Sequence, residues 1–222
     1  MSPISSESNF DVDRAASTAT AAAAGAVSGA LRAGTRVPVF ELPDTHGNPV
    51  SLEQALGAGP VVLNFLRGAW CAFGEESLAQ LAATYERVVS VGATAFAIAP
   101  PSRISQPGES VPIPELVDKD MKVARTFGLA FELPVELRSR YLELGYFPPR
   151  TRKSDSFLVP IPATYLVDQD GMIVLAHVDA DYRHHLDTGA LLGALKALQA
   201  RSAARERAGR RSAGKWRLGR DL

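Results

Sequence analysis

The chain has 222 residues, with 24 basic and 24 acidic side chains and a single cysteine, Cys71. That length builds one full core with tails, or at most two small domains, and one domain is expected. One cysteine excludes an intrachain disulfide, and with it a stapled secreted scaffold, so the expected setting is a reducing cytoplasm.

In chain order, residues 1–34 are rich in Ala, Ser and Thr and read as a flexible leader without a core-forming stripe. The uncharged part, residues 15–31, faintly imitates an export signal, but it lacks a Leu-rich centre and follows Glu7, Asp11 and Asp13. No run has the length and hydropathy of a membrane span. The folded body is expected over residues 35–200. A short strand in VPVFELPD is followed by a turn over residues 44–48 and a brief helix with Ser51 as N-cap. Val61, Val62, Leu63, Asn64 and Phe65 form an apolar, β-branched run bounded by Gly59-Pro60 and Gly68, which predicts a central strand. Beyond Cys71 the period changes: Leu78, Leu81, Ala82, Tyr85, Val88 and Val89 recur at helical spacing.

Residues 93–99 predict the next buried strand, closed by Pro100-Pro101, and residues 102–110 a loop. A helix from about Lys119 turns Val123, Ala124 and Phe127 inward and stops at Gly128. Residues 134–144 read as a proline-started helix, and residues 147–156, with Arg150, Arg152 and Lys153, as a mobile surface loop. ATYLV and MIVLAHV flank Asp168-Gln169-Asp170-Gly171, a hairpin signal. The last helix buries Leu191, Leu192, Leu195 and Leu198 and grades into a basic tail, residues 201–222, with eight basic and two acidic side chains. No aromatic interleaving beyond Trp216 accompanies that charge, so a solvated, flexible tail is expected in preference to a nucleic-acid interface. Strand–helix alternation followed by a hairpin gives an α/β sandwich: a mixed central sheet with helices on both faces.

The position of Cys71 points to chemistry. At the N-terminus of a helix, unpaired backbone N–H groups and the helix dipole favour the thiolate, and Arg67 adds positive charge. The competing reading is a small buried side chain, as most lone cysteines are. For Trp70 and Arg67, packing over the sheet edge and a solvated charge weigh about equally with a supporting role in the site. His184-His185 is a poor metal site without a second cluster, and neither a metal nor a cofactor is expected. Asp168 and Asp170 are turn formers first.

The stretch VPVFELPDTHGNPVSLEQALGAGPVVLNFLRGAWC resembles the opening of the peroxiredoxin and thiol-specific antioxidant (alkyl hydroperoxide reductase) branch of the thioredoxin fold, including relatives with an RG-x-WC-P-x-C site. VDKDMKVARTFGL is similar to the segment after the third strand of that branch, and PATYLVDQDGMIVLAHVDADYRHHL to its terminal hairpin. The resemblance implies a thioredoxin-like α/β/α fold. It matches Cys71 to the first cysteine of WC-x-x-C and places Gly74 where the second, the peroxide-attacking position of ordinary peroxiredoxins, would stand. Ala72 replaces the common proline, and Pro162 matches the cis-proline that lies beside the reactive sulfur.

Two functions follow as expectations. In the first, Cys71 attacks a peroxide or disulfide, the N–H groups near Ala72, Phe73 and Gly74 hold the anion, Arg67 stabilises negative charge, and an external thiol reductant or redox partner protein completes the cycle. In the second, the chain is a redox-inactive thioredoxin-fold module that binds a partner or a small thiol ligand. The resemblance also implies that two protomers can pair as a homodimer.

Overall fold

The computed structural model describes residues 5–68, 71–101, 113–151, 155–184 and 186–217. In chain order the first elements are α1 (Ser5–Val27), β1 (Glu41–Pro43), β2 (Pro49–Ser51), α2 (Leu52–Ala58), β3 (Val61–Phe65), α3 (Ala72–Ser90) and β4 (Thr94–Ala99). There follow β5 (Glu115–Val117), α4 (Lys122–Thr126), β6 (Ala130–Glu132), α5 (Val135–Glu143), β7 (Leu158–Pro160), β8 (Ala163–Val167), β9 (Ile173–Val178) and α6 (Thr188–Arg217).

The expected central strand is β3, buried at every residue. It pairs in parallel with β4 and antiparallel with β8, within a five-stranded sheet of order β5-β4-β3-β8-β9. Because side chains alternate along a strand, β3 sends Val61, Leu63 and Phe65 into one core and Val62 and Leu66 into another. The first core includes α1, α2, α4, α5 and the β6–β7 pair. The second lies under α3 and α6, with Leu81 and Val88 facing Leu191, Leu192, Leu195 and Leu198. The mixed sheet with helices on both faces is therefore the expected sandwich. In the first core Phe65, Phe127 and Tyr165 meet with ring centroids 4.8 to 6.1 Å apart. Each such ring pair contributes about 1 kcal/mol beyond area burial.

Local signals hold where they are strong. Ser51 caps α2 by accepting from the Gln54 N–H at 3.4 Å. Gly128 ends the helix at φ +74°. The turn at Asp168 joins β8 and β9 as an antiparallel pair, with the Asp168 carboxylate accepting from the N–H groups of Asp170 and Met172.

Three expectations are corrected. The N-terminal segment does carry a core-forming stripe: Ala16, Ala19 and Ala23 are buried, α1 lies against β6, and the Leu31 N–H reaches the Phe127 carbonyl at 3.0 Å. Alanine is small enough to let the helix approach the sheet layer closely, so a stripe of low hydropathy still packs. The helix expected from Lys119 begins as a 3-10 turn, Lys119–Met121, broken from α4 by positive φ at Asp120 and Met121. Buried Asp118 accepts from the N–H groups of Val123 and Ala124 across that break. Finally, the basic segment remains helical through Arg217, and Arg205 reaches back to Asp170 at 3.4 Å. Residues 102–112, which include the expected loop, and 152–154, with Arg152 and Lys153, lie outside the described residues.

Candidate functional site

The site grows out of the end of β3. The Leu66 N–H still donates to the Ile98 carbonyl at 2.8 Å, so the ladder to β4 holds one residue past the strand. Gly68 then turns the chain with φ +100°, a left-handed value that side chains disfavour. The Cys71 N–H closes the turn on the Gly68 carbonyl at 3.1 Å, and Cys71 is the N-cap residue of α3 in extended conformation (φ −115°, ψ 114°). Its side chain does not cap the helix. Ala72, Phe73 and Gly74 form the first helical turn, whose leading N–H groups have no intrahelical acceptor. The structure thus puts the thiol residue at the helix start, as expected. It is 7 % exposed and belongs to the first core.

Arg67, expected as a flanking charge, is 3 % exposed. Its guanidinium lies over the Tyr182 ring at 3.9 Å and beside the Tyr141 ring at 5.4 Å. The Arg67 Nη2 group also donates to the Tyr141 hydroxyl at 2.7 Å. A planar cation held by that hydrogen bond and the two rings is fixed in orientation, and water no longer screens it as it would at a surface. Tyr182 and Tyr141 were not singled out by the sequence. Tyr141 sits at helical spacing from Leu137 on α5, where it reads as core, and Tyr182 lies in an irregular loop.

Burial pushes the Tyr182 phenol above its usual range; the Arg67 charge opposes that rise, while Tyr141 and Cys71 add to it. Burial likewise pushes the Tyr146 phenol up. Tyr146 stacks edge-on to Tyr141 with centroids 6.3 Å apart and donates from its hydroxyl to the Leu158 carbonyl.

Pro162 is placed but corrected. In the β3–β8 ladder Phe65 pairs with Ala163, so Pro162 stands one step beyond, at the end from which Arg67 and Cys71 emerge. Its bond from Ile161 is trans, as are all peptide bonds among the described residues, so the expected cis-proline is absent. The physical reason is continuity: β7 runs almost directly into β8, with the Ile161 N–H on the Leu129 carbonyl at 3.1 Å, and a trans bond keeps that bridge extended. Trp70 lies outside the described residues, as does His185. His184 pairs through Nδ1 with Asp179 at 2.9 Å.

A separate cavity of about 680 Å³ opens between α3 and the approach to α6, lined by Gln80, Thr84, Arg183, His184 and Asp187 among others. A small void of about 30 Å³ adjoins it. There Asn64 and Thr164, paired across β3 and β8, share a hydrogen bond at 3.0 Å. Both belong to the α3–α6 side of the sheet, whereas Cys71 belongs to the other core.

The arrangement of one thiol at a helix start, with a buried arginine on the turn that leads into it, suits nucleophilic sulfur chemistry in which negative charge develops at the helix N-terminus. Comparison with known proteins bears on the family and the fold. The model of the AhpC/TSA family matches residues 33–176. Among solved structures, peroxidoxin BcpB from Mycobacterium tuberculosis aligns at 22% identity and TM-score 0.54, over 76% of this chain and 98% of that one. Peroxiredoxin Q from Xanthomonas campestris aligns at 18% identity and TM-score 0.55, over 75% and 99%. The yeast mitochondrial 1-Cys peroxiredoxin aligns at 14% identity and TM-score 0.57, over 78% of each. At these identities the likeness is one of fold. No curated protein matches the sequence.

Proposed function

The chain belongs to the AhpC/TSA family, and from that premise we propose that it is a single-cysteine thiol peroxidase whose reacting atom is the Cys71 sulfur. The observation that carries the reading is the position of Cys71 as N-cap residue of α3, joined by the Gly68 turn to a buried arginine.

The Cys71 thiolate attacks one oxygen of a hydroperoxide. The S–O bond forms as the O–O bond breaks, the sulfur is oxidised to a sulfenic acid, and the leaving oxygen takes up a proton to depart as an alcohol or water. The N–H groups of Ala72, Phe73 and Gly74 are assigned to the anionic sulfur, and Arg67 opposes the negative charge passing to the leaving oxygen. Pro162 is assigned to the rim of the site. With Gly74 in place of a second cysteine, the sulfenic acid is resolved from outside. An external thiol displaces water to give a mixed disulfide, and a second thiolate releases Cys71 and leaves as the disulfide product. The reductant is a small thiol or a redox partner protein, in a reducing compartment such as the cytoplasm. No helix among the described residues is long and apolar enough to cross a membrane.

A second reading, a redox-inactive module that binds a partner or thiol ligand, draws on two observations: Cys71 is almost fully buried, and Gly74 removes the second sulfur. Trapping separates the two. The reduced chain is exposed to hydrogen peroxide or an alkyl hydroperoxide in the presence of a sulfenic-acid trap, with Cys71→Ser as control. Adduct formation on Cys71 much faster than on a model thiol supports the peroxidase. A rate no greater than that of the model thiol overturns it in favour of the binding module.

A further inference from the structure

Arg67 is a buried cation whose orientation is set from a distant part of the chain. Tyr182 belongs to the connection between β9 and α6, and that connection is tied at several points. The Asp181 N–H donates to Asp179 Oδ1 at 2.8 Å, and Arg183 donates to the Asp181 carboxylate from Nε at 2.8 Å and from Nη2 at 2.6 Å. His184 adds its N–H to the Asp181 carbonyl at 3.0 Å and its Nδ1 to Asp179 at 2.9 Å. The residues on both sides of Tyr182 are therefore held by short local bonds, and its ring is delivered to the core that contains Cys71 and Tyr141. That ring is the face on which the Arg67 guanidinium rests at 3.9 Å.

We propose that Tyr182 is a positioning residue for the thiol site: with Tyr141 it clamps the Arg67 guanidinium, so that the charge on the turn that leads into Cys71 is held in place by the β9–α6 connection. The inference rests on the reading of Cys71 as the reacting sulfur, but it concerns how that sulfur's electrostatic surroundings are built. Without the ring, the Arg67 side chain loses one of the walls that keep it desolvated and swings toward water, where the same charge acts more weakly on its neighbours. The phenol oxygen of Tyr182 is not required for this, because a cation–π contact uses the ring face. Tyr141 is required through its oxygen, which accepts from Nη2.

The test compares alkylation of Cys71 by iodoacetate, an anion, with alkylation by iodoacetamide, which is neutral and of similar size. The ratio of the two rates reads positive charge beside the sulfur and is insensitive to a general loosening that exposes the thiol to both reagents. Arg67→Met is expected to lower the ratio several-fold, and Tyr182→Leu to lower it by a similar factor. Tyr182→Phe is expected to preserve it, and Tyr182→Leu in the Arg67→Met background to change it no further. An unchanged ratio in Tyr182→Leu overturns the proposal, as does an unchanged ratio in Arg67→Met, or a double variant in which the two effects add in full.

Should Tyr182→Leu fail to fold by circular dichroism, Asp181→Asn is read in its place, since it loosens the loop at its Arg183 pairing and leaves the ring itself unchanged. A lowered ratio supports the clamp and an unchanged one overturns it. Alkylation needs no peroxide, so failure of the clamp and failure of the peroxidase reading give different results.

Discussion

Gly128 and Gly29 touch backbone to backbone: a Cβ on Gly128 would overlap the Gly29 carbonyl oxygen and lie 2.8 Å from its carbon and 2.9 Å from the Cα of Ala30. This is where the N-terminal segment crosses the end of α4, next to the hydrogen bond from Leu31 to Phe127. Gly128 also holds φ +74°. Gly128→Ala therefore meets a backbone clash and a left-handed strain together, and is expected to lower unfolding stability by roughly 2–4 kcal/mol, measured by urea denaturation. Gly34→Ala, at φ +87° with open space where its Cβ would sit, meets the strain alone and is expected to cost roughly 1–2 kcal/mol. Equal losses at the two positions would show that the N-terminal segment is not seated on Gly128.

The same contact bears on the alanine stripe. Ala19 and Ala23 are all but inaccessible within the first core. Replacing Ala19 by Glu buries a carboxylate with no partner provided for it, and is expected to release α1 from β6. Limited proteolysis checks this: cleavage within residues 14–31 should become fast in Ala19→Glu and stay slow in Ala21→Glu, which makes the same change at an exposed position of the same helix.

The buried pair between β3 and β8 gives a third expectation. The Thr164 hydroxyl donates to Asn64 Oδ1 at 3.0 Å beneath α3 and α6. Thr164→Val keeps the shape and removes the donor, which is expected to cost about 1–2 kcal/mol in urea denaturation. A loss indistinguishable from zero would mean that another group satisfies Asn64 in full.

Acid should weaken the loop that carries Tyr182. Hydrogen bonding from Arg183 holds the Asp181 carboxyl down at about 2, below its ordinary 3.8. The unfolded chain binds more protons than the folded chain between those values, so this contribution to stability is present above the ordinary value and fades as pH falls toward 2. Thermal melts of wild type and Asp181→Asn should therefore differ above about pH 5, with the wild type higher, and the gap should close as pH drops through that window. A gap that is the same at about pH 2.5 and about pH 6 would assign the effect to something other than Asp181 ionisation.

How much of this was legible in the sequence depends on how local each signal is. Residues 61–65 and the helix after Cys71 announce themselves because burial on both faces of a strand and on one face of a helix imposes a period on the residue types. Gly128, Ser51 and the Asp168 turn are legible because a cap or turn is satisfied within a few residues. β5, β6 and β7 have three residues each, too few to display a period. The stripe Ala16, Ala19 and Ala23 has helical spacing but little hydropathy, so it resembles low complexity. The position of Cys71 was legible from its neighbours on either side. The setting of Arg67 was not, because Tyr141 and Tyr182 reach it from α5 and from the β9–α6 connection, and nothing in the local pattern of either marks that contact.

The glycine in the first turn of α3 permits a gain-of-function test. By helix geometry, Cα atoms three residues apart lie about 5 Å from each other, within the range that a disulfide spans. Gly74→Cys therefore places a second sulfur within reach of Cys71, restoring the WC-x-x-C spacing. Once either sulfur of the variant is oxidised to a sulfenic acid, the thiolate of the other should attack it, expel water and close a disulfide between Cys71 and the introduced cysteine. Peroxide treatment of the variant should then give a mass decrease of two hydrogens, where the wild type under the same conditions gains one oxygen. The variant should also need a disulfide-reducing system in place of a thiol that attacks sulfenic acid. A variant that gains oxygen as the wild type does, with no loss of hydrogen, would show that the first turn of α3 holds the two positions too far apart for resolution within the chain.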